Sequence, residues 1–167
     1  MNIPKYSLIA AMDNNRIIGH KNKIPWKAKG EQALFKRITL NSVVIMGRNT
    51  FESLPNGALS ERYNAVLSTN PYFEALGCFK FSSFEKALVS MHEEFPTCKI
   101  FVIGGASLYE QTIENAEELH ITRIERSYEG DAYFPKYDND KFNLKNIEWF
   151  DTNMRYIYYH YIRKQNT

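Results

Sequence analysis

The sequence predicts an α/β fold built on a mainly parallel sheet. Short apolar, β-branched runs alternate with stretches of helical periodicity. Two of those runs end in glycine and pass straight into an amphipathic helix: VVIMGRNTFESL from Val43 and IFVIGGASLYEQ from Ile100. The last two apolar runs have no helix between them, which implies an antiparallel hairpin at one edge. At 167 residues, with no repeat, low-complexity stretch or linker, the chain is expected to form one domain over 1–167.

Each element can be justified in turn. Tyr6 to Met12 reads as a buried strand. Asp13 to Lys29 is a long polar loop punctuated by Gly19 and Pro25, and a loop of that length is usually functional. Glu31 to Leu40 fits a helix, with Glu31, Leu34, Phe35 and Ile38 at helical spacing. Ser42 to Met46 is a strand, Arg48 to Leu54 a short helix, and Pro55-Asn56-Gly57 a turn. Ala65 to Ser68 and Phe79 to Phe81 read as short strands, and Phe84 to Phe95 as a helix. Ile100 to Ile103 and Leu119 to Ile124 are strands around a helix from Ser107 to Ile113. Ile147 to Phe150 and Tyr156 to Arg163 are the late strands, joined by Asp151 to Met154.

Composition narrows the classes of function. The net charge of +2 is spread along the chain without a basic block, which argues against nucleic acid and for a small-molecule ligand. The apolar run from Leu8 to Met12 is too short for a signal peptide or a membrane span. Cys78 and Cys98 have neither CxxC nor histidine spacing, so both read as reduced thiols of a cytoplasmic protein, and no metal site is expected.

The glycine junctions carry the first chemical signal. Glycine after a strand lets a ligand approach the backbone, and the following helix offers free N–H groups and a positive dipole end to a phosphate. Thr50 adds a hydroxyl and Arg48 a planar cationic fork; an ordinary helix start with a surface arginine has the same pattern. Gly104-Gly105 after Ile103 is not GxGxxG, so the standard dinucleotide fingerprint is absent. Glu31 opens a helix, where acids are common. Yet it shares a face with Phe35 and follows Pro25-Trp26, and a carboxylate desolvated by aromatics has its pKa raised above the ordinary value of about 4.3. Such a group can bind an N–H-rich ring through both oxygens. His20, His92, His120 and His160 are scattered, and no GxSxG, Walker or HExxH pattern occurs.

Taken in order, SLIAAM, IIGHKNKIPW, Glu31 with Phe35-Lys36, VVIMGRNTFESL, VIGGASLYEQ, ITRI and EGDAYFP resemble dihydrofolate reductase, from Ser7 to about Arg163. The resemblance implies a single-domain, eight-stranded mixed sheet, mainly parallel, with an antiparallel C-terminal edge strand and flanking helices. It implies reduction of 7,8-dihydrofolate to tetrahydrofolate by NADPH, with hydride delivered to C6 and a proton to N5, in support of one-carbon and thymidylate metabolism. Glu31 matches the family's pocket carboxylate, and Trp26 and Thr122 the residues that support it; Tyr109 completes the catalytic set. Ile9, Ala10, Gln32, Phe35, Leu54 and Ile103 fall at substrate contacts, and Arg62 matches the arginine that pairs with the substrate's α-carboxylate.

The same resemblance implies that the cofactor is held along Ala11 and Ile18, then Gly47, Arg48, Asn49 and Thr50, then Leu67, Ser68 and Thr69. Beyond Ile103 it implies contacts at Gly104, Gly105, Ala106, Ser107, Leu108, Tyr109 and Gln111, with a cis peptide at Gly104-Gly105. Asn14 to Lys29 matches a mobile lid, and Gly130-Asp131 a neighbouring loop that steadies it. Asn49 departs from a frequent basic residue, Gln32 from a common leucine, and Glu31 from the aspartate of bacterial chromosomal enzymes. The string PWKAKGEQALFK is similar to the plasmid-borne, trimethoprim-resistant reductases, which implies binding of methotrexate and weaker binding of trimethoprim. No nucleic-acid or membrane partner is expected, and the resemblance suggests a monomer. Two other readings keep some of these features: a riboflavin-pathway pyrimidine reductase of the same fold, and a non-catalytic nucleotide-binding domain. Glu31 after Pro25-Trp26, and Arg62, stand against the first, and the second has no need of the carboxylate.

Overall fold

A computed structural model of the chain describes residues 3–165. The elements run β1 (Ser7–Met12), β2 (Ile17–Gly19), α1 (Glu31–Thr39), β3 (Val43–Gly47), α2 (Arg48–Ser53), β4 (Tyr63–Leu67) and β5 (Phe79–Phe81). They continue α3 (Phe84–Glu94), β6 (Ile100–Val102), α4 (Ala106–Thr112), β7 (Glu118–Ile124), β8 (Ala132–Tyr133), β9 (Phe142–Asp151) and β10 (Arg155–Arg163).

Eight strands form one sheet in the order β5-β4-β3-β6-β1-β7-β10-β9. The six from β5 to β7 pair in parallel, and β10 runs against both β7 and β9. This agrees with the mainly parallel sheet and late hairpin expected from the sequence. The strand running against the rest is β10, one in from the edge, and β9 closes the sheet.

Helices cover both faces, so the central strands are apolar throughout: Val43 to Met46 are completely buried. Side chains alternate between the layers. Leu8, Ala10 and Met12 pack with Val43, Ile45, Leu88, Met91 and Leu108 under α3 and α4. Ile9, Val44, Met46 and Phe101 face the other way, with Phe35 of α1 and Phe51 of α2 packed onto them. A third cluster seats α1 against the late strands through Trp26, Leu34, Ile124, Tyr156 and Tyr158.

Two elements escape sequence reading. The expected loop from Asp13 to Lys29 contains β2, which pairs antiparallel with β8, Ile17 opposite Tyr133. Three-residue and two-residue strands are too short to show periodicity. The late strand expected at Ile147 to Phe150 begins at Phe142 instead. Its first half is largely exposed and polar, because one face of this edge strand has no helix over it.

Candidate active site

The carboxyl ends of β1, β3, β4, β6 and β7 lie along one edge of the sheet, where open α/β sheets bind ligands. The two glycine junctions prove to be neighbours there. The Gly47 N–H donates to the Gly104 carbonyl at 2.9 Å, and the Ile103 N–H to the Ile45 carbonyl at 2.9 Å. A Cβ on Gly105 would stand 3.4 Å from the Thr50 hydroxyl, and one on Gly104 3.3 Å from the Tyr109 hydroxyl. The Gly104-Gly105 peptide is cis, as the resemblance implied. Neither α2 nor α4 has a side chain capping its N-terminus, whereas α3 is capped by Ser83.

Glu31 sits at the first turn of α1, half-buried, and forms no ion pair or side-chain hydrogen bond among the described residues. Burial pushes its carboxyl above the usual carboxylate range. Its placement depends on Gly30, whose φ of 96° is in the left-handed region. A Cβ at Gly30 would lie 2.8 Å from the Tyr156 hydroxyl, which itself donates to the Lys29 carbonyl at 2.8 Å. Trp26 is buried against Tyr128, with its indole N–H unpartnered by protein. Thr122 is buried on β7 opposite Ala11 of β1. Tyr109 donates to the Ile9 carbonyl at 2.6 Å, and its hydroxyl is pushed up strongly by burial and by the Glu31 charge.

Apolar walls join these groups. Ile9, Phe35, Leu54 and Ile103 belong to one cluster, while Gln32 is exposed beside Phe35 on α1 and Ala10 turns to the opposite face. Arg62 is half-buried, donating to the Ser60 carbonyl at 2.8 Å and the Thr39 hydroxyl at 3.1 Å, with its guanidinium 5.9 Å from the Phe35 ring centre. It has no carboxylate partner within ion-pair distance among the described residues. Burial lowers its pKa.

Other expected cofactor residues follow the same edge. Leu67 lies opposite Gly47 in the β3–β4 register, with Ser68 and Thr69 just beyond. Ala11 and Ile18 are half-buried near the lid's start. Asn49 is exposed, as are Ser107 and Gln111 on α4, whose first residue is Ala106. Leu108 is turned into the core, so only its backbone is available to a ligand. Arg48 does not point freely outward: its Nε donates to Glu52 at 2.7 Å, and its guanidinium lies 4.6 Å from the Phe73 ring centre.

The segment from Asn14 to Lys29, expected as a lid, is tied at its start and its middle. Asp13, completely buried, accepts the N–H groups of Asn15, Ile17 and Tyr128, each at 2.8 Å. Sequence reading took Asp13 only as the first residue of the long polar loop; its fixing role has no local signal. The Lys21 N–H donates to Asp131 at 3.2 Å and the Asp131 N–H to Gly19 at 3.1 Å, so Gly130-Asp131 does adjoin the lid. A cavity of about 410 Å³ on the opposite face, lined by Arg16, Arg123, Lys136 and Tyr159, holds none of the expected site residues.

The fold and this edge define a small α/β protein with glycine-lined helix starts and a half-buried carboxylate that is unpaired among the described residues. The sequence profile of the family described as "Dihydrofolate reductase" matches residues 5–164. A dihydrofolate reductase of Bacillus subtilis (strain 168) is 41% identical over 144 residues, covering 85% of this chain and 82% of the relative. The dihydrofolate reductase type A13 of Escherichia coli is 34% identical over 157 residues, 94% of this chain and 93% of its own. Among solved structures, dihydrofolate reductase from Enterococcus faecalis complexed with NADP(H) and RAB-propyl superposes with a TM-score of 0.86 at 26% identity. That match covers 96% of this chain and 97% of the other. The chain belongs to the dihydrofolate reductase family. Membership makes it an oxidoreductase that uses NADPH.

Proposed function

We propose that this chain reduces 7,8-dihydrofolate to tetrahydrofolate, and that Glu31 is the residue on which recognition of the pterin turns. The observation that carries the reading is the carboxylate itself. It is half-buried, unpaired among the described residues, and close enough for its charge to act on the Tyr109 hydroxyl, which lies against Gly104. A desolvated charge without a partner is costly unless a ligand supplies one.

The residues fit the cofactor. The Gly47 and Gly104-Gly105 backbones leave the open strip that a pyrophosphate needs, with Thr50 and the uncapped starts of α2 and α4 beside it. Arg48 and Thr69 would take the phosphate of the adenosine end. When bound, the reduced nicotinamide supplies a hydride. Ile103, Ile9 and Phe35 exclude water and hold two rings face to face, which positions the reaction without a protein nucleophile. Glu31 accepts two N–H groups of the pterin and favours its protonated form. Water carries the proton to N5, because Glu31 bonds the far side of the ring. Trp26 and Thr122 hold the carboxylate's surroundings, and Arg62 takes the α-carboxylate of the substrate. The glutamate arm is one methylene longer than aspartate, which supports weaker trimethoprim binding with turnover and methotrexate binding kept. A monomeric, single-domain cytoplasmic enzyme serving one-carbon metabolism goes with this reading.

The test is loss of the nicotinamide absorbance on mixing the protein with NADPH and dihydrofolate. Oxidation blocked by methotrexate is expected; its absence overturns the assignment. In the same assay, an inhibition constant for trimethoprim as low as that of a sensitive bacterial enzyme would refute the glutamate argument.

A further inference from the structure

Two side chains of β7 and one of β10 meet at the other end of β7. The antiparallel pairing with β10 sets His160 opposite His120 and Ile162 opposite Glu118. Glu118 and His120 are two residues apart on one strand, so they share a face. The imidazole rings stack with centres 4.1 Å apart at 20°. His160 Nε2 lies 2.6 Å from Glu118 Oε1. One ligating atom from each of the three lies within 4.8 Å of the others.

His120 gives the cluster its chemistry. It is 4% exposed, and its Nδ1 is 2.6 Å from the Tyr158 hydroxyl, while its Nε2 is buried without a partner among the described residues. With Nδ1–H donating to Tyr158, Nε2 carries a bare lone pair. That arrangement, one ring nitrogen fixed by a hydrogen bond and the other free, is how metal-ligating histidines are oriented. Ser7 donates to the second carboxylate oxygen of Glu118 at 3.4 Å, fixing that group from behind. Phe101 packs edge-on against His120 and closes the interior side. The Glu118 and His160 side chains are 16% and 13% exposed, so the cluster is reached from solvent.

We propose that Glu118, His120 and His160 bind one divalent ion of the zinc class, with water in a fourth position. Two imidazole nitrogens and one carboxylate oxygen suit Zn²⁺ and its neighbours Co²⁺, Ni²⁺ and Cu²⁺. The same set is poor for Mg²⁺ or Ca²⁺, which take oxygen ligands. The ion takes the place of the proton shared between His160 and Glu118, so small side-chain rotations suffice. The site stands apart from the reductase edge: Ser7 and Glu118 lie at the strand ends remote from Gly47 and Gly104.

The experiment uses the untagged full chain, stripped with a chelator and titrated with Co²⁺ and with Zn²⁺. One equivalent of Co²⁺ should bind saturably and show the intense visible bands of a four-coordinate ion. Zn²⁺ should displace it and raise the unfolding midpoint of the protein. His160→Gln, at the partly exposed ligand, should lose both the spectrum and the midpoint shift while keeping the native circular dichroism. His92→Gln, on the exposed side of α3, should keep them. No saturable binding, six-coordinate Co²⁺ spectra alone, or equal binding by His160→Gln would each overturn the proposal and leave a hydrogen-bonded His–Glu pair. If His160→Gln does not fold, Glu118→Gln is read in its place by the same outcomes.

Discussion

In its proposed role, Glu31 sets function against stability. Its folded pKa is raised by burial, so the folded state favours the proton. Its contribution is therefore most favourable below the unfolded carboxylate value and is lost as pH rises through the folded one. Glu31→Gln should stabilise the protein at neutral pH by about 1 kcal/mol, measured by urea unfolding, with no gain in acid. The same variant should lose turnover by about 100-fold or more at neutral pH and recover part of it in acid, where substrate arrives protonated. A second residue-scale outcome concerns Arg48, which must exchange Glu52 for a phosphate. Arg48→Ala should weaken NADPH by about 10- to 100-fold in a binding titration and leave NADH nearly unchanged. The glycines were legible from their place between strand and helix and Glu31 from the aromatics around it, whereas Arg62 was reached only through the family resemblance. The pairing of Arg48 with Glu52, though at helical spacing, was not foreseen. Nor was the meeting of His120 with His160, which exists only through the register of β7 on β10.

Among the elements, the lid shows what a buried hydrogen-bonding group can organise. Asp13 ends β1 and gathers three N–H groups, one of them from Tyr128 on the distant segment after β7. Asp13→Asn keeps the shape and replaces one acceptor by a donor. It should cost about 2–3 kcal/mol, since hydrogen bonds to charged groups are the strong ones and the new amide donor would be buried against an N–H. Hydrogen exchange at Asn15 and Ile17 should rise first, ahead of the core strands. Helix α1 poses the complementary case at its start. Gly30→Ala forces a Cβ towards the Tyr156 hydroxyl at a left-handed φ, so a loss of about 1–3 kcal/mol is expected on urea unfolding. Helices and interior strands of this chain were readable within a residue or two because their apolar spacing repeats. The β2–β8 pair was not, since its ladder is built from partners far apart in the chain.

At the scale of the molecule, three layers divide the work. The α3 and α4 side is apolar packing, and Leu119, completely buried there, should cost about 2–5 kcal/mol as Leu119→Ala in urea unfolding. The α1 and α2 side carries the candidate site, and its architecture was legible as alternating strands and helices with one late hairpin. What periodicity could not show is how that hairpin reaches back. Asn153 donates to the Lys27 carbonyl at 2.7 Å and accepts the Lys29 N–H at 2.8 Å, and Tyr156 holds the Lys29 carbonyl. The residues just before Glu31 are thus fastened by residues made long after them. A ribosome releasing this chain exposes its glycine junctions early, but the carboxylate has no fixed seat until the closing hairpin emerges. Competence therefore waits for that hairpin, and a chain broken off before Asn153 would keep a sheet edge able to greet a nucleotide while lacking the grip that aims Glu31.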